Sequence, residues 1–178
     1  MRIFSYALRL TVVGVVASGL LAYVFWITAD PIQANAAQTK QRRIKSLLPP
    51  ETTEVAEVNV NGVVIFRGLA HGAPCGVVIE TAVEGYGGRI VVLVGVDQQD
   101  AIRDLAIVEH RETPGLGAKI TTPAFTAQFR GRRVAGLALA RDQAGGIDAI
   151  LAATISSRAV LEAARQALEK YAKVKHVR

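Results

Sequence analysis

The sequence predicts an α+β protein: an N-terminal transmembrane helix followed by a single domain with a largely antiparallel sheet and packed helices. Three observations carry this expectation. Residues 10–29, "LTVVGVVASGLLAYVFWITA", are twenty consecutive residues without a charge, the length that spans a bilayer's hydrocarbon core as a helix. Between residues 55 and 110, short apolar runs alternate with turn signals, as strands of a meander do. The last segment, from Ser156 to about Lys173, carries an apolar stripe at helical spacing. At 178 residues the chain suits one ordinary domain plus an appendage rather than two domains.

Taken in order, residues 1–30 form the anchor. Arg2 and Arg9 precede the apolar run, Asp30 and Pro31 close it, and Tyr23 and Trp26 sit near its far end, where amphipathic rings favour the membrane interface. A cleaved signal peptide is the alternative, because "ANA" at 34–36 fits a small-x-small cleavage site. The apolar core is longer than the roughly 7–15 residues of a secretory signal, which favours a retained anchor. The charges divide on orientation. Arg2, Arg9 and the amino terminus argue for a cytoplasmic start, and Lys40, Arg42, Arg43 and Lys45 beyond the run blunt that bias.

Residues 31–50 read as a helical connector running to about Leu48 and stopped by Pro49-Pro50. In the domain that follows, 51–178, "VAEVNVNGVVIFRGLA" alternates on both sides of Asn61-Gly62, the dipeptide of a tight type I′ hairpin. "GVVIETAV" and "GRIVVLVGVD" are further strands around the turn "EGYGG", and "AIRDLAIVEH" completes the meander. "TTPAFTAQFRGR" reads as a short helix with Thr122 as N-cap and Pro123 at the first helical position. "VAGLALARD" reads as another strand ending at "QAGG". The final helix buries Val160, Ala164, Ala167, Leu168 and Tyr171, and Lys173, Lys175 and Arg178 suit its negative C-terminal end.

Composition narrows the chemistry. The single Cys75 has no partner for an internal disulfide, and no Cys/His pair has metal-ligand spacing, so no metal site is expected. The formal net charge of +6 is spread over short clusters without a nucleic-acid module, and reads as solvated or lipid-facing surface. Walker A, G-x-S-x-G, H-E-x-x-H and post-strand G-x-G-x-x-G patterns are missing.

Three stretches remain as candidates. In "ETPGLGAKI", 112–120, Thr113-Pro114-Gly115-Leu116 has the signature of a type II turn. With Gly117 and Lys119 it makes either an anion-binding nest or a plain strand-to-helix turn. "GYGG", 85–88, lets a planar ligand approach backbone, and a hairpin loop explains it equally well. In "DAILAATISSRAV", 148–160, Ser156 or Ser157 caps the final helix. That places Thr154 beside unpaired N–H groups that favour a phosphate, or leaves it a capping residue.

Together these stretches resemble the membrane-anchored, FMN-binding G subunit of Rnf-type electron transport complexes and, at greater distance, the C subunit of the sodium-translocating NADH:quinone reductase. "GYGGRIVVLVGVD", "EHRETPGLGAKI" and "DAILAATISSRAV" carry the resemblance, "ETPGLG" most specifically. It implies that residues 51–178 form a periplasmic FMN-binding domain on a single-pass protein of the bacterial inner membrane. It implies FMN held covalently, by a phosphoester on the threonine that ends a D-x-x-S-G-A-T-type motif. Thr154 is the counterpart of that threonine, with Asp148 as the acidic first position and Ala153 as the alanine. Glu112, Thr113, Pro114, Gly115, Leu116, Gly117, Lys119, Ser156 and Ser157 are the other implied cofactor-binding residues. Lys119 would favour reduced anionic flavin, and His110 would serve as a structural hydrogen-bonding residue.

The chain departs from the motif at Leu151, where serine is usual, and at Ala152, where glycine is usual. An alanine at 152 is strained if that residue needs φ > 0. The implied function is an electron relay in an ion-translocating ferredoxin:NAD oxidoreductase, a translocase component without turnover of its own. Its partners would be the other subunits, a flavin-attaching transferase and membrane lipid, with no nucleic acid. A flavin-free assembly subunit of the same complex and a membrane-anchored sensor binding FMN reversibly are the alternatives.

Overall fold

The computed structural model describes residues 2–60 and 63–175. The chain divides into two compact units, Met1–Thr39 and Lys40–Arg178. The first is helical. Within it Tyr6–Thr28, with a mean hydropathy of 2.2, is long and apolar enough to cross a bilayer. Anchor and connector are one uninterrupted helix, α1 (Arg2–Leu47), which continues past Pro31.

The second unit is built on five strands: β1 (Glu54–Val60), β2 (Val63–Ala70), β3 (Ala73–Glu84), β4 (Arg89–Val96) and β5 (Ile102–Glu109). They lie in sequence order and every neighbouring pair is antiparallel. This is the meander that the alternating pattern predicts. β1 and β2 pair up to Val60 opposite Val63, and the Asn61-Gly62 turn itself lies outside the described residues. The "EGYGG" turn forms as expected: Glu84 faces Arg89, and Gly85 N–H donates to Gly88 O at 2.9 Å.

Both faces of the sheet are covered, which explains why β4 reads as an unbroken apolar run instead of alternating. On one face the last turns of α1 bury Ile44 and Leu47, with Leu48, against Phe66, Val78 and Leu93. Gly95 is needed there, because a Cβ would stand 2.7 Å from the Leu47 carbonyl oxygen. On the other face lies the final helix, α3 (Thr154–Val174). Ala159, Ala163, Ala164 and Ala167 are buried in the main core with Val160, Leu161 and Leu168. These small residues bring helix and sheet together closely enough for the Thr81 hydroxyl on β3 to donate to Ala163 O at 3.2 Å.

Between β5 and α3 the chain packs irregularly. A 3-10 turn at Gly117–Thr121 leads into α2 (Pro123–Thr126) and a second 3-10 turn at Ala127–Phe129. Thr122 is the N-cap and Pro123 the first helical residue, as the sequence predicts. The Thr122 hydroxyl does not cap the helix, however; it bonds back to Lys119 O at 2.7 Å.

The strand expected in "VAGLALARD" does not form. Val134–Gly136 is a 3-10 turn, and the only pairing nearby among the described residues is one parallel bridge between Leu139 and Ile147. The alternation is real, but Leu137, Leu139 and Ile147 are separate plugs filling the main core. No neighbouring strand extends the ladder, and Arg165 on α3 takes up the Leu137 carbonyl at 2.8 Å.

Candidate functional site

The site grows from the start of α3, and here the structure corrects the sequence reading. The helix begins at Thr154, not Ser156, and neither serine caps it. Ala153 occupies the N-cap position, with φ −133° and ψ 40°, and no side chain caps the end. Both serines lie in the first turn, facing inward and buried. The Ser157 hydroxyl donates to Ala153 O at 2.9 Å and accepts the Ile150 N–H at 3.0 Å. Serine suits caps because its hydroxyl satisfies free N–H groups; here the Glu112 carboxylate takes the Ser156 hydroxyl and the segment leading into the helix takes that of Ser157.

The helix end is consequently open. Ser157 N–H closes onto Ala153 O at 3.0 Å, while among the described residues no acceptor meets the N–H groups of Thr154, Ile155 and Ser156. Unpaired donors at a helix N-terminus, with the partial positive charge of the aligned peptides, favour an anion.

The approach to this end is bent sharply. Ala152 has φ +60°, the left-handed conformation that glycine adopts freely and alanine only with strain. Position 152 therefore does require the backbone that a glycine would supply. Leu151, beside it, is 91% exposed. The segment is held from below: Asp148 N–H donates to Gln128 Oε1 at 2.7 Å, and Ile150 is held by Ser157.

A second knot forms at Glu112, which is only 5% exposed. Its Oε2 accepts the Ser156 hydroxyl at 2.7 Å and its Oε1 accepts the Gly87 N–H at 3.1 Å. Its own N–H donates to His110 Nδ1 at 3.3 Å. Gly85 and Gly117 wall the carboxylate so closely that a Cβ on either would lie 2.2 or 2.6 Å from its oxygens. One side chain thus gathers three stretches that the sequence singled out separately: 85–88, 112–120 and the first turn of α3.

Thr113–Leu116 forms the expected type II turn, with Gly115 at φ +78° and Leu116 N–H donating to Thr113 O at 3.2 Å. The turn is exposed, as is Lys119, and Gly117 is buried against Glu112 and Ser156. The implied binding residues therefore fall into two groups. Glu112, Gly117, Ala153, Ser156 and Ser157 are buried, and Thr113, Pro114, Gly115, Leu116 and Lys119 are exposed, with Thr154 half-buried.

Thr154 opens onto a groove of about 550 Å³ between α3 and the end of β3. Ala82, Val83, Ile155 and Ala159 give it an apolar lining, and Glu84, Arg141, Arg158, Glu162 and Gln166 a polar one. Such a volume falls within the range of small-molecule sites. Sequence reasoning missed Arg141 and Arg158. Arg158 stands four residues after Thr154, a spacing that shares one helix face. Nothing local signals Arg141, which the irregular 134–147 segment carries to the groove.

Comparison with known proteins fits this geometry. The family model of the RnfG N-terminal region matches residues 2–47, and that of the FMN-binding domain matches residues 85–169. The G subunit of the ion-translocating oxidoreductase complex of Methanosarcina acetivorans is 34% identical over 94% of this chain and 94% of its own. The G subunit of the proton-translocating ferredoxin:NAD(+) oxidoreductase complex of Clostridium ljungdahlii is 30% identical, over 94% and 91%. Among solved structures, the C subunit of the Na(+)-translocating NADH-quinone reductase of Parabacteroides distasonis shares the fold, with a TM-score of 0.58 and 24% identity. That match covers 71% of this chain and 79% of the other. The chain thus belongs to the RnfG family, the G subunits of Rnf-type ion-translocating oxidoreductase complexes, and its residues 85–169 match the FMN-binding domain.

Proposed function

We propose that this chain is the electron-relay subunit of a membrane-bound ferredoxin:NAD oxidoreductase of the Rnf type, carrying FMN as a phosphoester on Thr154. The observation that carries the reading is the open end of α3. Thr154 is its first residue, three N–H groups there lack acceptors among the described residues, and a groove of ligand size begins beside it. These donors fit a phosphoryl group. FMN, when bound, supplies one- and two-electron redox chemistry.

The chain's own residues would do the rest. Thr154 Oγ1 would hold the FMN phosphoryl group as an ester in place of its hydroxyl proton, once a flavin-attaching transferase has supplied it. The helix N-terminus would favour the remaining phosphate charge. Glu112 and Ser156 keep the first turn in place. Ala82, Val83, Ile155 and Ala159 would offer an apolar bed, and the turn at 113–116 would contact phosphate or ring through backbone groups. Residues 1–30 would span the cytoplasmic membrane once, 31–50 would connect, and 51–178 would work on the periplasmic side among the other subunits and lipid.

A specific observation favours a second reading, a flavin-free assembly subunit. An exposed leucine stands at 151, where the family pattern has serine, and the bend at 152 is built with a strained alanine. One experiment separates the two. Full-length protein co-produced with a flavin-attaching transferase is denatured, weighed intact and inspected for in-gel flavin fluorescence, beside Thr154→Ala. A gain of FMN minus water, lost in the variant, is the expected result. An unmodified chain, under conditions that flavinylate a related control protein, would support the flavin-free reading.

A further inference from the structure

We propose that Arg158 and Arg141 are the phosphate-positioning residues of this site and that Asp142 restrains them; the proposal rests on the attachment reading above. Thr154, Arg158, Glu162 and Gln166 follow one another at four-residue steps along α3, and all line the groove. Arg158 is therefore the first cationic side chain on the face that carries the acceptor hydroxyl. Arg141 comes to the same groove from the 134–147 segment.

Both arginines share one carboxylate, and loosely. Arg141 Nε donates to Asp142 Oδ1 at 3.2 Å, and Arg158 Nη2 stands 3.7 Å from Asp142 Oδ2, beyond hydrogen-bond length. All three side chains are at least half exposed. Exposed pairs of this kind add little to folding stability, so the fold does not depend on the cluster.

Two guanidinium groups thus stand beside Thr154 and are loosely held by a single shared carboxylate. The other charged groups on the groove are Glu84 and Glu162. Glu162 lies two turns along α3 from Thr154, where its oxygens already face Gln166 and Arg165. Glu84 precedes Gly85, which packs against Glu112 and through it meets Ser156, so Glu84 stands at the Thr154 end with the arginines, and Glu162 lies farther along the helix. A guanidinium fork matches phosphate oxygens in plane and in charge, and the helix N-terminus supplies the remaining donors. Asp142 competes with the phosphate for the same N–H groups, so its removal frees them.

The test uses full-length protein in detergent, made without the transferase and titrated with FMN and with riboflavin, which lacks the phosphate. Arg158→Gln and Arg141→Gln should each weaken FMN binding by about tenfold, a loss equal to one charge-assisted hydrogen bond, and leave riboflavin binding unchanged. Asp142→Asn should tighten FMN binding and likewise spare riboflavin. The same variants co-produced with the transferase should follow that order in flavin occupancy by intact mass. Wild-type protein flavinylated at Thr154, with arginine variants that bind FMN as it does, overturns this proposal and leaves the attachment reading intact. Equal losses for FMN and riboflavin overturn it too, because the arginines then act on the groove's shape. A wild-type chain that takes no flavin from the transferase overturns the attachment reading and this proposal with it.

Discussion

The two loop regions that meet at the start of α3 are opposites. On the Glu112 side, both carboxylate oxygens are taken, glycines pack against them, and a buried hydroxyl ties the knot. On the Thr154 side, three backbone donors lack acceptors among the described residues, a leucine stands in solvent, and an alanine holds a conformation that suits glycine. The closed side is scaffold, because buried polar groups are costly unless paired. The open side keeps its donors and its strain because solvent, or a ligand, can satisfy them. Strain and unsatisfied donors gather where function does.

Substitutions can break this contrast, starting on the closed side. Glu112→Ala should cost about 3 kcal/mol of stability, because the buried Ser156 hydroxyl is left without an acceptor and the Gly87 N–H loses its own. Denaturant unfolding of the full chain in detergent measures it. Glu112→Gln, which keeps the shape and one acceptor oxygen, should recover most of that loss. Gly87→Ala comes next, at about 2 kcal/mol by the same measurement, since the new Cβ would stand 2.2 Å from the Arg111 carbonyl oxygen.

The open side should respond with the opposite sign. Ala152→Gly should stabilise the chain by about 1 kcal/mol, because glycine relieves the positive φ. A destabilised Ala152→Gly variant would mean that the bend is not strained. Leu151→Ser should move stability by less than about 0.5 kcal/mol, as surface changes do. Its effect belongs in flavin occupancy: a rise would show that the leucine limits attachment, and no change would show that the transferase does not read that hydroxyl.

The smallest expected effect lies at the far end of α3. Burial raises the Tyr171 pKa, and the hydrogen bond to Asp100 raises that of Lys175. Both groups thus hold their protons more tightly folded than unfolded. Their contribution is fully present at neutral pH and is lost as pH rises through and above about 10, the ordinary range of both groups. Hydrogen exchange over residues 170–175 should quicken there in wild type. Asp100→Asn should shrink the Lys175 part of that change and leave the Thr154 end unaffected.

Much of this was legible because it is local. A charge-free run, a Pro-Gly turn and a helical stripe depend on near neighbours in the chain, and α1, the 113–116 turn and the body of α3 all form as read. The misreadings share one cause. Alternating Leu137 and Leu139 look like a strand, but a loop that plugs a core from above alternates in the same way. Ser156 and Ser157 look like caps, but Glu112 and Ile150, distant or out of register in sequence, engage their hydroxyls. The family pattern brought Thr154 and Glu112 into one group, and nothing in the sequence said that one faces out and the other in.

Periodicity and short motifs were enough to establish the membrane-length helix, the antiparallel meander and the special backbone at Gly115, and the resemblance of three stretches pointed to the family. Packing in three dimensions settled which polar groups are spent and which are left over. It buried Glu112 as a tie between three loops, left the N-terminus of α3 uncapped, and carried Arg141 to the groove beside Thr154 and Arg158. Hydrogen bonds are satisfied by whatever comes near in space, and a one-dimensional pattern does not contain that neighbourhood.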